Sequence, residues 1–141
     1  MPHHFDKLFN PHEANELIPT LEVLMRQLQM RAGDLRSQID AILEVDRGIE
    51  ALQLPAIIDR YPQLRVPAAR MAELADKIES LGCFLKDIDQ GLVDFPWEIE
   101  DNRIVFLCWQ FGEASVIAWH PIDGGFGQRQ AIPGTAKPYL N

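Results

Sequence analysis

The residues best suited to chemistry fall in one stretch, residues 87–129, which holds all three Trp and five of the nine Gly. His120 is the only histidine beyond the first twelve residues, and it sits between Trp119 and Pro121. One imidazole with two carboxylates can hold a divalent metal, and Asp94, Glu113 and Asp123 are the acids nearest to it in the pattern. No HxxxH, HxH or CxxC spacing supports such a site, so no metal is expected; were one bound, its ligands would be His120, Asp94 and Glu113. The ordinary expectation is a strand-end His hydrogen-bonded to Asp94 or to a loop carbonyl. Cys108 could act as a nucleophile with His120 as base, but the register favoured below puts them on opposite faces. Phe95, Phe106 and Ile117 around it would also keep the thiol protonated. Arg129 follows Gly124-Gly125-Phe126-Gly127, which matches neither a phosphate-loop nor a dinucleotide fingerprint, so no cofactor is expected. Its expected role is an ion pair with Glu113 or Asp94 that ties the terminal loop to the sheet.

The elements that must carry these residues are legible upstream. Asn10-Pro11-His12-Glu13 reads as a helix start, with an Asn cap, Pro in the first turn and Glu three residues after the cap. Apolar residues recur at Leu17, Leu21, Leu24, Leu28, Ala32, Leu35, Ile39 and Ile42, a heptad-like seam with one stutter. Pro19 predicts a kink or break in the third turn. Run on to Val45, this helix would be roughly 50 Å long, more than one small core can cover. Residues 46–66 are punctuated by Gly48, Pro55 and Pro62, and the reading there is open between a short helix and an extended cover. A second seam, Met71, Leu74, Ile78, Leu81, Leu85 and Ile88, predicts an antiparallel partner helix from about Pro67.

After Gly91 the period becomes two. Strands are predicted at 92–99, 103–111 and 114–120, with turns at Asp101-Asn102 and Gly112-Glu113. The expected fold is therefore α+β. A long, coiled-coil-like antiparallel helical hairpin (about 11–88) precedes a three-stranded antiparallel β-meander (about 91–120) and a C-terminal loop (121–141), all in a single domain, 1–141. Pro96 would then lie on a sheet edge. Two-residue turns set Asp94 and Val116 opposite Trp109, and Phe95 and Ile117 opposite Cys108. One face, with Val93, Phe95, Trp97, Phe106, Cys108 and Trp119, would pack on the helices. The other would carry Asp94, Trp109, Val116 and His120. A three-residue turn at Gly112–Ala114 would instead bring His120 to the Cys108 side, and the sequence leaves that choice open.

Composition excludes several classes. The 141-residue chain has a net charge of −8, with −4 over residues 1–85 and −4 over residues 86–141, so there is no basic face for nucleic acid. No apolar run reaches the roughly 20 residues that span a bilayer, and the start lacks a secretory pattern, so a cytoplasmic location without membrane contact is expected. Cys83 and Cys108 are expected to be buried thiols.

The motif string is more specific than any of its parts. Glu13-Ala14-Asn15 with Leu17 and Pro19, Gly91-Leu92-Val93-Asp94-Phe95-Pro96, and Leu107-Cys108-Trp109 are three of its pieces. Gly112-Glu113, Trp119-His120, and Gly125-Phe126 with Arg129 complete it. Together these resemble, from about Phe9 to Ile132, the bacterial family known as domain of unknown function 2203. Asn10 stands where that pattern has Thr, and both residues cap helices. The resemblance implies a bacterial protein and brings no activity with it.

Two functional readings follow. The first is a non-catalytic protein-interaction or structural module, homodimeric through the long helix or the outer sheet face, with its protein partner unspecified; it rests on the overlong seam and on a second sheet face too apolar for solvent. The alternative is a small-ligand or metal-binding protein, or an enzyme, with a site at Asp94, Trp109, Glu113, His120 and Arg129. No substrate or reaction is legible, and the balance lies against an enzyme. With Trp119 on the helix-facing side, Trp119→Ala should destabilise by roughly 3–5 kcal/mol in urea titration, and unchanged stability would mean the faces are inverted.

Overall fold

The structure is a computed structural model that describes residues 5–133. It is α+β, with four α-helices and a five-stranded antiparallel sheet among the described residues. The expected helix start forms as read: Asn10 Oδ1 accepts from the Glu13 amide (2.8 Å) and Glu13 Oε1 accepts from the Asn10 amide (3.0 Å). The break at Pro19 is also present. Helix α1 (Pro11–Glu16) stops, Leu17 turns, and α2 (Ile18–Val45) restarts with Pro19 in its first turn, where a missing N–H costs nothing. The Asn15 side chain beside this break accepts from the Val116 amide at 2.6 Å, which joins the helix layer to the sheet.

At 28 residues, α2 is about 42 Å long and overruns the sheet. Its first half packs Leu21, Met25 and Leu28 into the main core. Its second half would expose Leu35, Ile39 and Ile42, but Ile49, α3 (Leu54–Arg60) with Ile57, and Leu64 fold over them as a second core. The ambiguous segment is thus a helical cover, held by Tyr61 and Arg60 on Asp46. The apolar excess that pointed to a second chain is largely satisfied within this one.

The second helix, α4 (Arg65–Ser80), does not continue to Ile88 as its seam predicted. Gly82 adopts φ +101 and its amide bonds back to Glu79 O, a left-handed helix stop. A Cβ there would press on Lys7 and Phe9 at 3.1–3.3 Å, so both conformation and space require glycine. Leu85 therefore belongs to a strand, β1 (Phe84–Asp87). The meander is correspondingly longer than the three strands expected: β1, β2 (Leu92–Glu100), β3 (Arg103–Gln110), β4 (Ala118–Pro121) and β5 (Gln130–Ala131), in that spatial order. Part of the predicted C-terminal loop is thus strand, and residues 134–141 of it lie outside the described residues. Strand β1 pairs β2 only as far as Asp94, so Pro96 lies on a local edge, where its carbonyl accepts from the Phe9 amide (2.7 Å).

The register also needs correction. Glu100 pairs with Arg103 across the tight Asp101-Asn102 turn, as read, with Asn102 at φ +64. Between Glu98 and Glu100 a β-bulge then slips the ladder by one residue, so that Val93 faces Trp109 and Asp94 faces Cys108. A one-residue slip exchanges the two faces of a strand. The helix-facing side therefore carries Val93, Phe95, Val105, Leu107 and Trp109, and the outer side carries Asp94, Phe106 and Cys108. The β3–β4 connection slips as well, pairing Phe106 with His120 and Cys108 with Ala118. This is the alternative that brings His120 to the Cys108 side.

Among the described residues no helix is long and apolar enough to cross a membrane. Trp109 is fully buried, whereas Trp119 only lines the core edge with the Arg103 guanidinium over its ring. Trp109→Ala should thus cost about 3–5 kcal/mol in urea titration and Trp119→Ala clearly less; the reverse order would contradict this register.

Candidate functional site

Asp94 and His120 are the buried polar side chains among the described residues, each 3% exposed. Strand β2 delivers Asp94 and the end of β4 delivers His120. The motif around Asp94 works locally: Gly91 takes φ +69 under Phe111, whose Cβ a side chain at 91 would strike at 2.5 Å. The Phe111 amide bonds to Gly91 O, closing the ladder there. Val93 and Phe95 then anchor inward, so Asp94 must point outward.

His120 Nε2 lies 3.0 Å from Asp94 Oδ2, and Nδ1 lies 2.8 Å from Pro121 O. Both alternatives foreseen for this histidine, carboxylate and carbonyl, are realised together. A carbonyl only accepts, so Nδ1 carries a proton and donates it. The Nε2···Oδ2 contact holds one further proton, on the imidazole as an ion pair or on the carboxyl as a neutral pair; both forms have zero net charge. Burial raises the Asp94 pKa above the ordinary carboxylate range, and His120 opposes that rise.

The bulge adds Cys108 to this pair, which the sequence reading had placed on the far face. The Cys108 Sγ, a His120 ring nitrogen and an Asp94 oxygen all lie within 4.8 Å of one another. Burial, reinforced by the Asp94 charge, pushes the Cys108 thiol up to about 12, so it stays protonated at neutral pH, as expected. The three side chains line a cavity of about 110 Å³, closed on its other walls by Lys86, Leu92, Gly124, Gly125 and Phe126. Lys86 also went unnoticed in the sequence as a site residue; its ammonium lies 4.7 Å from the Phe106 ring centre on the same face. The edge-on Phe84, Phe106 and His120 rings, with Phe5 from the N-terminal segment, cover the rest of this side.

Glu113 and Arg129 form the ion pair expected of them, at 2.8 Å and mostly buried. Glu113 Oε1 also accepts from the Gln110 amide (2.8 Å), which explains a Glu after the turn glycine, Gly112. Arg129 lies over the Phe126 ring at 4.6 Å, and its Nε is buried without a hydrogen-bond partner. Trp109 does not join these residues. Its ring is in the helix-facing core, and its indole N–H donates to Glu113 O at 2.9 Å. Asp123 is exposed and does not line the cavity.

Cys83 is buried elsewhere, where its S–H donates to Ile78 O, and burial pushes its thiol up to about 12. A raised folded-state pKa stabilises the fold below the unfolded thiol value near 9 and loses that contribution as pH climbs toward 12. Stability should therefore fall between these limits by up to about 1.4 kcal/mol per pH unit for each thiol. In urea titrations at stepped alkaline pH, Cys83→Ala should show a shallower fall than the native chain; an identical slope would contradict the assigned burial.

Comparison with known proteins adds a family and nothing more specific. No curated protein and no solved structure matches the chain. A family model described as "Uncharacterized conserved protein (DUF2203)" matches residues 7–132. The match covers the helices, the sheet and the Asp94, Cys108 and His120 cluster alike, and the chain belongs to that family.

Proposed function

We propose that this protein is a binding protein whose site is the outer face of the sheet, taking a ligand of only a few heavy atoms beside Asp94 and His120. The observation that carries this reading is a buried Asp–His pair set against a cavity, in a sheet otherwise buried by apolar side chains. Stability alone does not call for such a pair, since well-packed apolar residues in its place are usually neutral or stabilising. A buried carboxyl paired with an imidazole at the wall of a concavity marks a candidate binding site. The cavity sets the ligand's size: 110 Å³ is well below the roughly 300 Å³ at which pockets for drug-sized molecules begin. Arg129 and Glu113 support the site by tying the loop after β4 back to the sheet.

A second reading, the homo-oligomeric interaction module, keeps one supporting observation. A groove of about 580 Å³ runs between the helices and β1, lined by Leu35, Ile39, Leu54, Met71 and Leu85, with the Arg36–Asp89 ion pair alongside. A monomeric mass by light scattering at micromolar concentration would sink that reading and leave the first intact.

The binding reading is tested by thermal denaturation against a panel of divalent cations and small inorganic anions. A ligand at 100 times its Kd adds about 2.7 kcal/mol, or several degrees of Tm. The native chain should respond to at least one panel member, and the Asp94→Asn/His120→Gln variant should not. An equal response in both would overturn the assignment.

A further inference from the structure

Resting on that reading, we infer that the ligand is a divalent transition metal of the zinc class, held by His120 Nε2, an Asp94 carboxylate oxygen and the Cys108 sulfur. Four observations converge on it. First, the three donor atoms lie within 4.8 Å of one another on buried side chains, brought together from three adjacent strands. Metal–ligand bonds of about 2.0 Å to N and O and 2.3 Å to S require donor separations of about 3.3–3.5 Å, so side-chain movements of up to about 1.3 Å close the site. Second, His120 is already oriented as metal-bound histidines are. Its Nδ1–H is spent on Pro121 O, which leaves Nε2 as the ligating atom. Third, the donor set is mixed: one thiolate, one imidazole and one carboxylate suit zinc better than magnesium or calcium, which take oxygen alone. Fourth, the protein provides three ligands and a cavity walled by Gly124 and Gly125, so a fourth position is open to water. That is the arrangement of a site that does more than staple the fold. Glu113, the third ligand considered from the sequence, is engaged by Arg129 and the Gln110 amide and takes no part.

The charges balance. Before binding, the Cys108 thiol is neutral and the Asp94–His120 pair, with its one shared proton, is neutral overall. When the metal binds, the S–H bond breaks as the metal–sulfur bond forms, and the shared proton leaves the pair. A dication, a thiolate, a carboxylate and a neutral imidazole again sum to zero, and two protons pass to the buffer. Burial therefore imposes no net charge on the interior, which is the condition for an ionic centre beneath a sheet face.

The test titrates the metal-stripped, full-length chain with Zn2+ and separately with Co2+. The expected results are one Zn2+ per chain by native mass spectrometry, release of two protons per metal, and a thiolate-to-cobalt charge-transfer band in the near ultraviolet. In Cys108→Ser the band should vanish and affinity should fall by about 100-fold or more; Cys108→Ala serves the same end should the serine variant fail to fold. A native chain that binds cobalt without the band, or whose band survives replacement of Cys108, overturns the inference; metal held by the N-terminal histidines or by Cys83 would give those results. If Zn2+ and Co2+ have no effect while inorganic phosphate raises the Tm of the native chain and not of Asp94→Asn/His120→Gln, the metal is wrong and the outer-face site stands. If no member of the wider panel of divalent cations and small inorganic anions acts on the native chain, both fall.

Discussion

A single residue of register decides what this sheet can do. The bulge between Glu98 and Glu100 slips β3 by one position against β2, and every side chain of β3 changes sides as a result. Without it, Trp109 would face outward beside Asp94, and Cys108 would be packed against the helices. With it, the indole enters the main core and the thiol joins the carboxyl and the imidazole. The place of Cys108 beside Asp94 and His120 depends on that slip being held.

What holds it is the helix layer. The inward side of β2 and β3 presents Val93, Phe95, Leu107 and Trp109 to Leu21, Met25 and Leu28 of α2 and to Ile78 of α4. An alternative register would bury Cys108 and Phe106 there and expose Trp109, losing more apolar burial than it gains. At its far end α2 packs into a second core of Leu35, Ile49, Ile57 and Leu64. The N-terminal segment closes the arrangement: Phe9 packs on Phe95, bonds to Pro96 O and fills the space that a side chain at Gly82 would need, while Phe5 covers the outer rings.

Much of this was legible where a local rule fixes the outcome. The Asn10 capping box, the break at Pro19 and the Asp101-Asn102 turn each follow from residues within one turn of one another, and the two buried thiols from residue type alone. The His120–Asp94 contact and the Arg129–Glu113 pair were also legible, because few partners of suitable charge were available to either residue. The bulge was not. Glu98-Ile99-Glu100 alternates cleanly, and no glycine marks the inserted residue, so nothing in composition announces the slip. Strand β1 was hidden for a different reason: Leu81, Leu85 and Ile88 continue the spacing of α4, and only the φ of Gly82 separates helix from strand. The two-residue β5 is too short for any period to register. Cys108 was thus missed as a member of the site through register, although its residue type had drawn notice.

The register is open to direct measurement in solution by nuclear Overhauser spectroscopy. The Pro96 carbonyl points away from β3 to accept from Phe9, so Pro96 and Phe106 form a non-hydrogen-bonded pair, as do Asp94 and Cys108 two residues on. In such pairs the α-protons of opposing residues lie close together. Strong Hα–Hα cross-peaks between Asp94 and Cys108 and between Pro96 and Phe106 are the result this account predicts. Cross-peaks from Asp94 to Trp109 and from Pro96 to Leu107 in their place would mean an unbulged ladder, with the thiol in the core and no Asp94, Cys108 and His120 cluster.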